Sequence, residues 1–265
     1  MAARLPLVRR TPATIVQWGA ALGGGGAELR AAYPQARLVR VEGEEVRPPG
    51  DAPAGARGRW RGWFAPRREP VLAPAAVPAG AAQLVWASMA LHGACDPLSL
   101  LAAWQRALAV DGFLMFCTLG PGSLPQLREL YRQAGWGSPA APLVDMHDLG
   151  DMMVAAGLAD PVMDQESLTL TWSGPEAALA ELRSLGGNVD PLRHPALRTP
   201  RWRARLLEGL AAQARARADG RVALSFELVY GHAFKAEPAL RVAEHTAFSA
   251  EQLQRLARTA RRRAP

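Results

Sequence analysis

Lysine is almost missing from this chain: 31 residues are lysine or arginine, and only Lys235 is a lysine. That usage, with its abundant alanine, is what a GC-rich coding sequence produces, so the net charge of +7 is not by itself a nucleic-acid signature. Cysteine is scarce too. Cys95 and Cys117 both lie in apolar segments and read as buried thiols rather than a disulfide framework. No apolar run approaches the ~18 residues of a membrane-spanning helix. Arg9-Arg10 imitates a twin-arginine export signal, but Gln17 and the glycines beyond it make a poor apolar core for one. The chain is therefore expected to be cytoplasmic. Also missing are a nucleophile elbow, a phosphate-binding P-loop and any zinc-ligand spacing, so no metal site is expected.

What is present is enough for a core. Hydrophobic residues make up 49% of the 265, which suits one large α/β domain, expected over residues 1–235. Positive charge is concentrated at the end. The tail EQLQRLARTARRRAP sets Arg255, Arg258, Arg261, Arg262 and Arg263 against Glu251, and without it the net charge falls to +3. Ser249 and Gln252 form a capping-box pattern, so residues 236–265 are expected to be an extension closing in a basic, solvated helix.

Short apolar runs alternate with helical patterns. TIVQW (14–18), RLVRVE (37–42), a short piece at 70–73, QLVWAS (83–88) and FLMFCTL (113–119) read as strands. The last is apolar throughout, as in a strand covered on both faces. A helix is expected near 26–33. DPLSLLAAWQRALAVDG reads as another, with Asp96 as its cap, Leu98, Leu101, Trp104 and Leu108 on one face, and Asp111-Gly112 as the turn that follows. Residues 123–135 and 145–157 are helical patterns ending at glycine, and 175–218 is a helical insertion. SLTLTW (167–172) and VALSFELVYGHAFK (222–235) alternate, with Val222, Leu224, Phe226, Leu228 and Tyr230 on one side, and predict an antiparallel pair at the sheet edge. Residues 47–82 are otherwise irregular.

TIVQWGAALGGGGAEL (14–29) is strand, glycine loop and helix, an arrangement that aims backbone N–H groups at a ligand. Glu42, with Glu44 and Glu45 as near alternatives, stands where an acid would hold a ribose hydroxyl. On the residues alone, a cofactor loop and a ligand-free flexible turn are equally open. His92 follows the QLVWAS strand, where ligands bind in open α/β sheets, but a partly buried loop histidine fits as well. His147 sits among Asp145, Asp148 and Asp151; their spacing suits an acidic helix N-terminus better than joint metal ligation. His194 and His232 show no partner.

The stretches LVWASMALHGACDPLSLLAAWQRALAVDGFLMFCTLGPGSLPQLREL (84–130) and VDMHDLGDMMVAAGLADPVMDQESLTLTW (144–172), with LRSLGGN (182–188) and FELVYGHAF (226–234), resemble class I S-adenosylmethionine-dependent methyltransferases. The likeness narrows to the malonyl-acyl carrier protein O-methyltransferases of biotin synthesis. It covers residues 80–235 well and the first 80 in outline. It implies a Rossmann-like, mostly parallel seven-stranded sheet with an antiparallel last strand and helices on both faces. It also implies S-adenosylmethionine as cofactor, contacted at Gln17, Gly19, Gly23, Glu42 and Ser88, with His92 on the substrate side. The reaction implied is methyl transfer to the free carboxylate of a malonyl thioester on acyl carrier protein, with an arginine holding that carboxylate. No membrane or nucleic-acid partner is expected; neither that arginine nor the oligomeric state is legible.

The departures fall in one corner. The family's acid and G-x-G-x-G read here as Gln17, Gly19, Ala21 and Gly23, the adenine-side acid as Pro74, and the aromatic after the Leu-His pair as Gly93. A helical arm ahead of the first strand is also expected in the family, against 13 residues before Thr14. These departures motivate a second reading, a methyltransferase fold kept as a binding scaffold.

Overall fold

The computed structural model describes residues 1–43, 69–188, 190–193, 195 and 197–237. A 3-10 turn, Ala2–Leu7, precedes β1 (Thr14–Trp18), the single turn α1 (Ala20–Gly23), α2 (Gly26–Ala32) and β2 (Arg37–Val41). After β3 (Val71–Leu72) come β4 (Ala82–Ser88), α3 (Pro97–Ala107), β5 (Leu108–Leu119), α4 (Pro125–Ala134) and α5 (Met146–Ala155). The chain then runs through β6 (Ala159–Trp172), α6 (Pro175–Ser184), α7 (Pro200–Arg215) and β7 (Val222–Phe234). Residues 47–68 of the irregular stretch, Glu44, Glu45, His194 and the expected terminal helix lie outside the described residues.

The strands form one seven-stranded sheet in the order β3-β2-β1-β4-β5-β7-β6. β7 runs antiparallel to both its neighbours and the other pairings are parallel, as the resemblance implied. Strand order reverses direction between β1 and β4, which makes the carboxyl ends of these strands the place where an open α/β sheet binds ligands.

Burial explains the apolar runs. In β5, Phe113 to Thr118 are all buried. Leu114 and Phe116 pack with Trp104 and Met153 on the α3 and α5 face, while Phe113 and Met115 pack with Leu5, Leu29 and Trp86 on the α2 face. The helix expected to run as far as the Asp111-Gly112 turn stops earlier, at Ala107. Leu108 already pairs with Ala82, and residues 109–112 bulge before Phe113 meets Leu84. Asp111 holds that bulge at φ 63°, its N–H bonded to Lys235 O at 2.8 Å. Leu98, placed on the buried face from spacing, is 44% exposed, because α3 turns only Leu101, Trp104 and Ala107 fully inward. Asp96 caps α3 as expected, accepting from Ser99 N–H at 3.1 Å.

The late antiparallel pair closes one edge of the sheet, as expected. β7 lies second from the edge, so Ala223 and Val229 are buried along with Val222, Leu224, Phe226 and Tyr230, Leu228 is half-buried, and β6 is the edge strand. β5 ends at Leu119 opposite Leu228, whereas β6 stays paired with β7 as far as Trp172 and Val222. The β6–β7 ribbon therefore projects past the carboxyl end of β5. A separate cluster covers this overhang, with Leu127 and Tyr131 from α4, Ala178 from α6 and Leu206 and Leu210 from α7.

Candidate functional site

The glycine loop folds onto the ends of β1 and β4. Gln17 is buried at 3% exposure, and its Nε2 donates to the Gly24 carbonyl at 2.7 Å. Trp86 Nε1 reaches the same oxygen at 3.4 Å. Gly19 leaves β1 at φ 65°. Gly23 lies so close to β4 that a Cβ there would sit 2.4 Å from the Cβ, carbonyl oxygen and Oγ of Ser88. A Cβ at Gly25 would fall 2.6 Å from Trp86 Nε1. These two glycines are required because backbone meets sheet at van der Waals distance.

Glu42, just past β2, ties the loop to the neighbouring strand. It is 5% exposed, and its Oε1 accepts from Ala21 N–H at 3.0 Å and from Arg40 Nη2 at 3.0 Å. Ala21, in the place of a family glycine, thus lends its N–H to the acid. Among the described residues only Oε1 is engaged, which leaves Oε2 as an acceptor. Ser88 makes no side-chain hydrogen bond with another described residue. Gln17 Oε1, Glu42 Oε2 and Ser88 Oγ therefore bring acceptors to the ends of three adjacent strands. An amino-acid ammonium and ribose hydroxyls are donors, so this set fits the nucleoside and amino-acid parts of S-adenosylmethionine. Pro74, where the adenine-side acid was expected, lies in a 3-10 turn and offers no side-chain acceptor.

On the other side of β4 lies a cavity lined by Leu91, His92, Thr118, Leu119, Val144 and Leu149, with Pro97 and Pro142 also in its wall. His92 stands in the 3-10 turn after β4, with Nδ1 3.3 Å from Oγ1 of Thr118, which is 2% exposed. His92 is itself exposed, and desolvation where its ring lies against its neighbours moves its pKa below the ordinary value. The structure thus places Gln17, Gly19, Gly23, Glu42 and Ser88 together at one corner and His92 beyond β4. Among the described residues no arginine lines the cavity.

The other histidines do different work. Asp145 caps α5, accepting from His147 N–H at 2.8 Å, and among the described residues no three metal-ligating side chains converge. His232 packs against Phe113 and Phe234, with ring centroids 6.0 and 4.7 Å away, and its buried Nε2 has no partner among the described residues. Both cysteines are free; Cys95 is exposed rather than buried, because it follows the His92 turn at the surface, while burial pushes the Cys117 thiol up to about 11. No described helix is long and apolar enough to cross a membrane.

Two features escaped the sequence reading. Arg4, in the first turn, lies 3.7 Å from the Tyr230 ring centroid and pairs with Asp164 of β6, which pins residues 1–8 against the sheet. The only advance signal was the apolar pair Leu5 and Val8. The second is an aromatic knot of Tyr131, Trp136 and Trp202 beneath α7. Its members are scattered over seventy residues with no local periodicity to join them.

Comparison with known proteins bears on this geometry. No protein-family model matches the chain. The malonyl-[acyl-carrier protein] O-methyltransferase of Laribacter hongkongensis is 36% identical over 91% of this chain and 81% of its own length. Its namesake in Gallionella capsiferriformans is 34% identical over 90% of this chain and 82% of its own length. Among solved structures, a candidate methyltransferase of Bacillus halodurans aligns with TM-score 0.52 at 16% identity, over 89% of this chain and 97% of that one. The YcgJ protein of Bacillus subtilis aligns with TM-score 0.51 at 13% identity, over 86% and 94%. These two likenesses concern the fold alone.

Proposed function

This chain belongs to the malonyl-[acyl-carrier protein] O-methyltransferase family, and from that membership we propose that it methylates the free carboxylate of a malonyl thioester carried on acyl carrier protein. The observation that carries the reading is the identity to named enzymes along nine-tenths of the chain. The scaffold alternative finds no support in those relatives. S-adenosylmethionine, when bound, supplies a methyl group on a sulfonium, an electrophile that a carboxylate takes by in-line displacement without a strong general base.

The chain's own residues divide the work. Glu42 Oε2 would accept hydrogen bonds from the ribose hydroxyls, while Gln17 Oε1 and Ser88 Oγ would accept from the amino-acid end. Gly19 and Gly23 let the loop backbone approach. His92, held through Nδ1 by Thr118, presents Nε2 to the acceptor carboxylate. Leu91, Leu119, Val144 and Leu149 form a dry wall that keeps water off the reacting oxygen. The products are a methyl ester and a neutral thioether.

The direct test is to incubate the protein with S-adenosylmethionine and malonyl-acyl carrier protein and read the carrier by mass spectrometry. The carrier should gain one methyl group, absent when acetyl replaces malonyl. A malonyl carrier that stays unmethylated while S-adenosylmethionine binds would refute the acceptor assignment.

A further inference from the structure

The amino-terminal half of α7 carries charge that the fold itself does not use. Arg198, Arg201, Arg203 and Arg205 fall within RTPRWRAR, all exposed, and none forms an ion pair among the described residues. The other end of the same helix differs: Arg215 pairs with Glu208, and Arg217 beyond it with Asp219. Cations in the first turns of a helix oppose its dipole, and α7 has no acid in its first turn to offset them. The cluster is also held in place. Arg198 stacks on Trp202 at 5.1 Å and Arg205 on Trp136 at 5.4 Å, and the two indoles lie 5.2 Å apart.

This cationic end of α7 is linked through the chain to the cavity wall. α7 packs on the β6–β7 overhang, beyond the carboxyl end of β5. The loop ahead of it is fastened to the segment after α4 by the Gly137–Arg193 bridge and by Asn188 Nδ2, which donates to Ser138 O at 2.8 Å. Four residues beyond Ser138 the chain reaches Pro142 and the cavity wall.

We infer that the amino-terminal end of α7, where Arg198, Arg201, Arg203 and Arg205 are all exposed, is the docking surface for the acidic carrier protein that delivers the thioester, an inference resting on the acceptor reading above. A thioester on a long flexible arm is held at the cavity only while its carrier is held nearby. Charge complementarity at a fixed, unpaired arginine cluster supplies that hold and speeds encounter.

The test compares wild type with Arg201→Glu/Arg203→Glu on two acceptors, malonyl-acyl carrier protein and the short thioester malonyl-pantetheine. Arg37→Glu, at the opposite end of the sheet, is the control. The double variant should raise KM for the carrier substrate by about tenfold or more, leave its kcat and the malonyl-pantetheine rate unchanged, and flatten the salt dependence. Calorimetric binding of the carrier should weaken in parallel. An unchanged carrier KM, or an equal loss on both acceptors, would overturn the surface. Salt-sensitive binding of a mixed-sequence duplex that the double variant abolishes, with carrier KM unmoved, would assign it to nucleic acid instead. A wild type that methylates neither acceptor removes the underlying reading, and that result is distinct from a variant-specific loss.

Discussion

The two sides of β4 are built on opposite plans. On the β1 side the loop is fastened to itself: Gln17 to Gly24, Ala21 to Glu42, Gly23 against Ser88. On the β5 side a histidine and a threonine face an open cavity with apolar walls. The difference teaches that Gln17 and Ala21 are not simply lost cofactor contacts. An acid at 17 could not donate to the Gly24 carbonyl, so the amide is what closes the loop. The N–H of Ala21 orients the acid that remains. The glycine-loop corner is set by backbone packing, and the cavity beside His92 by side chains.

If so, the largest single effect comes from crowding the loop. Gly23→Ala should weaken S-adenosylhomocysteine binding by about 100-fold, near 2.7 kcal/mol, with circular dichroism unchanged. Calorimetry checks it, and unaltered affinity would mean that the Gly23–Ser88 contact opens freely. Glu42→Gln removes the charge from the acceptor and should cost about 2 kcal/mol of cofactor binding, roughly 30-fold. His92→Asn should leave cofactor affinity alone and lower kcat/KM for the malonyl substrate about tenfold, which steady-state kinetics would read. If His92→Asn weakened the cofactor as Glu42→Gln does, the two corners would not be separate.

Smaller effects sharpen the picture. Gln17→Glu restores the family's acid but sets a carboxylate against the Gly24 carbonyl. It should lower stability by about 1 kcal/mol in thermal unfolding without improving cofactor affinity. A gain in affinity would show that the amide is a loss after all. Smallest of all, burial lowers the pKa of His232 in the folded chain from its ordinary 6.5. The unfolded chain then binds more protons as pH falls below that value, so stability should decline on acidification through about 6.5 and be unaffected above it. His232→Phe, filling the space between Phe113 and Phe234, should flatten that decline, and urea unfolding at several pH values would measure it.

Most of the sheet was legible because its strands carry local signals: unbroken apolar residues in β5, alternation in β7, glycine after α4 and α5. The failures arose where distant residues decide. LAVDG continues a helical spacing, and only its approach to Ala82 and Lys235 turns it into a strand and bulge. Glu42 could be picked out by its distance from the loop. That Ala21 binds it, and that Gly23 abuts Ser88, depends on how closely β1, β2 and β4 meet. The Trp136–Trp202 knot gave no warning and Arg4 only that of the neighbouring Leu5 and Val8, since each gains meaning from a partner far along the chain.

The most direct test of the central claim is calorimetric titration of S-adenosylhomocysteine into the wild type, Glu42→Gln and His92→Asn. One site per chain is expected with Kd in the micromolar range, about −8 kcal/mol, weakened by Glu42→Gln and untouched by His92→Asn. No heat at high micromolar concentration in the wild type, or the same Kd in all three proteins, would contradict it.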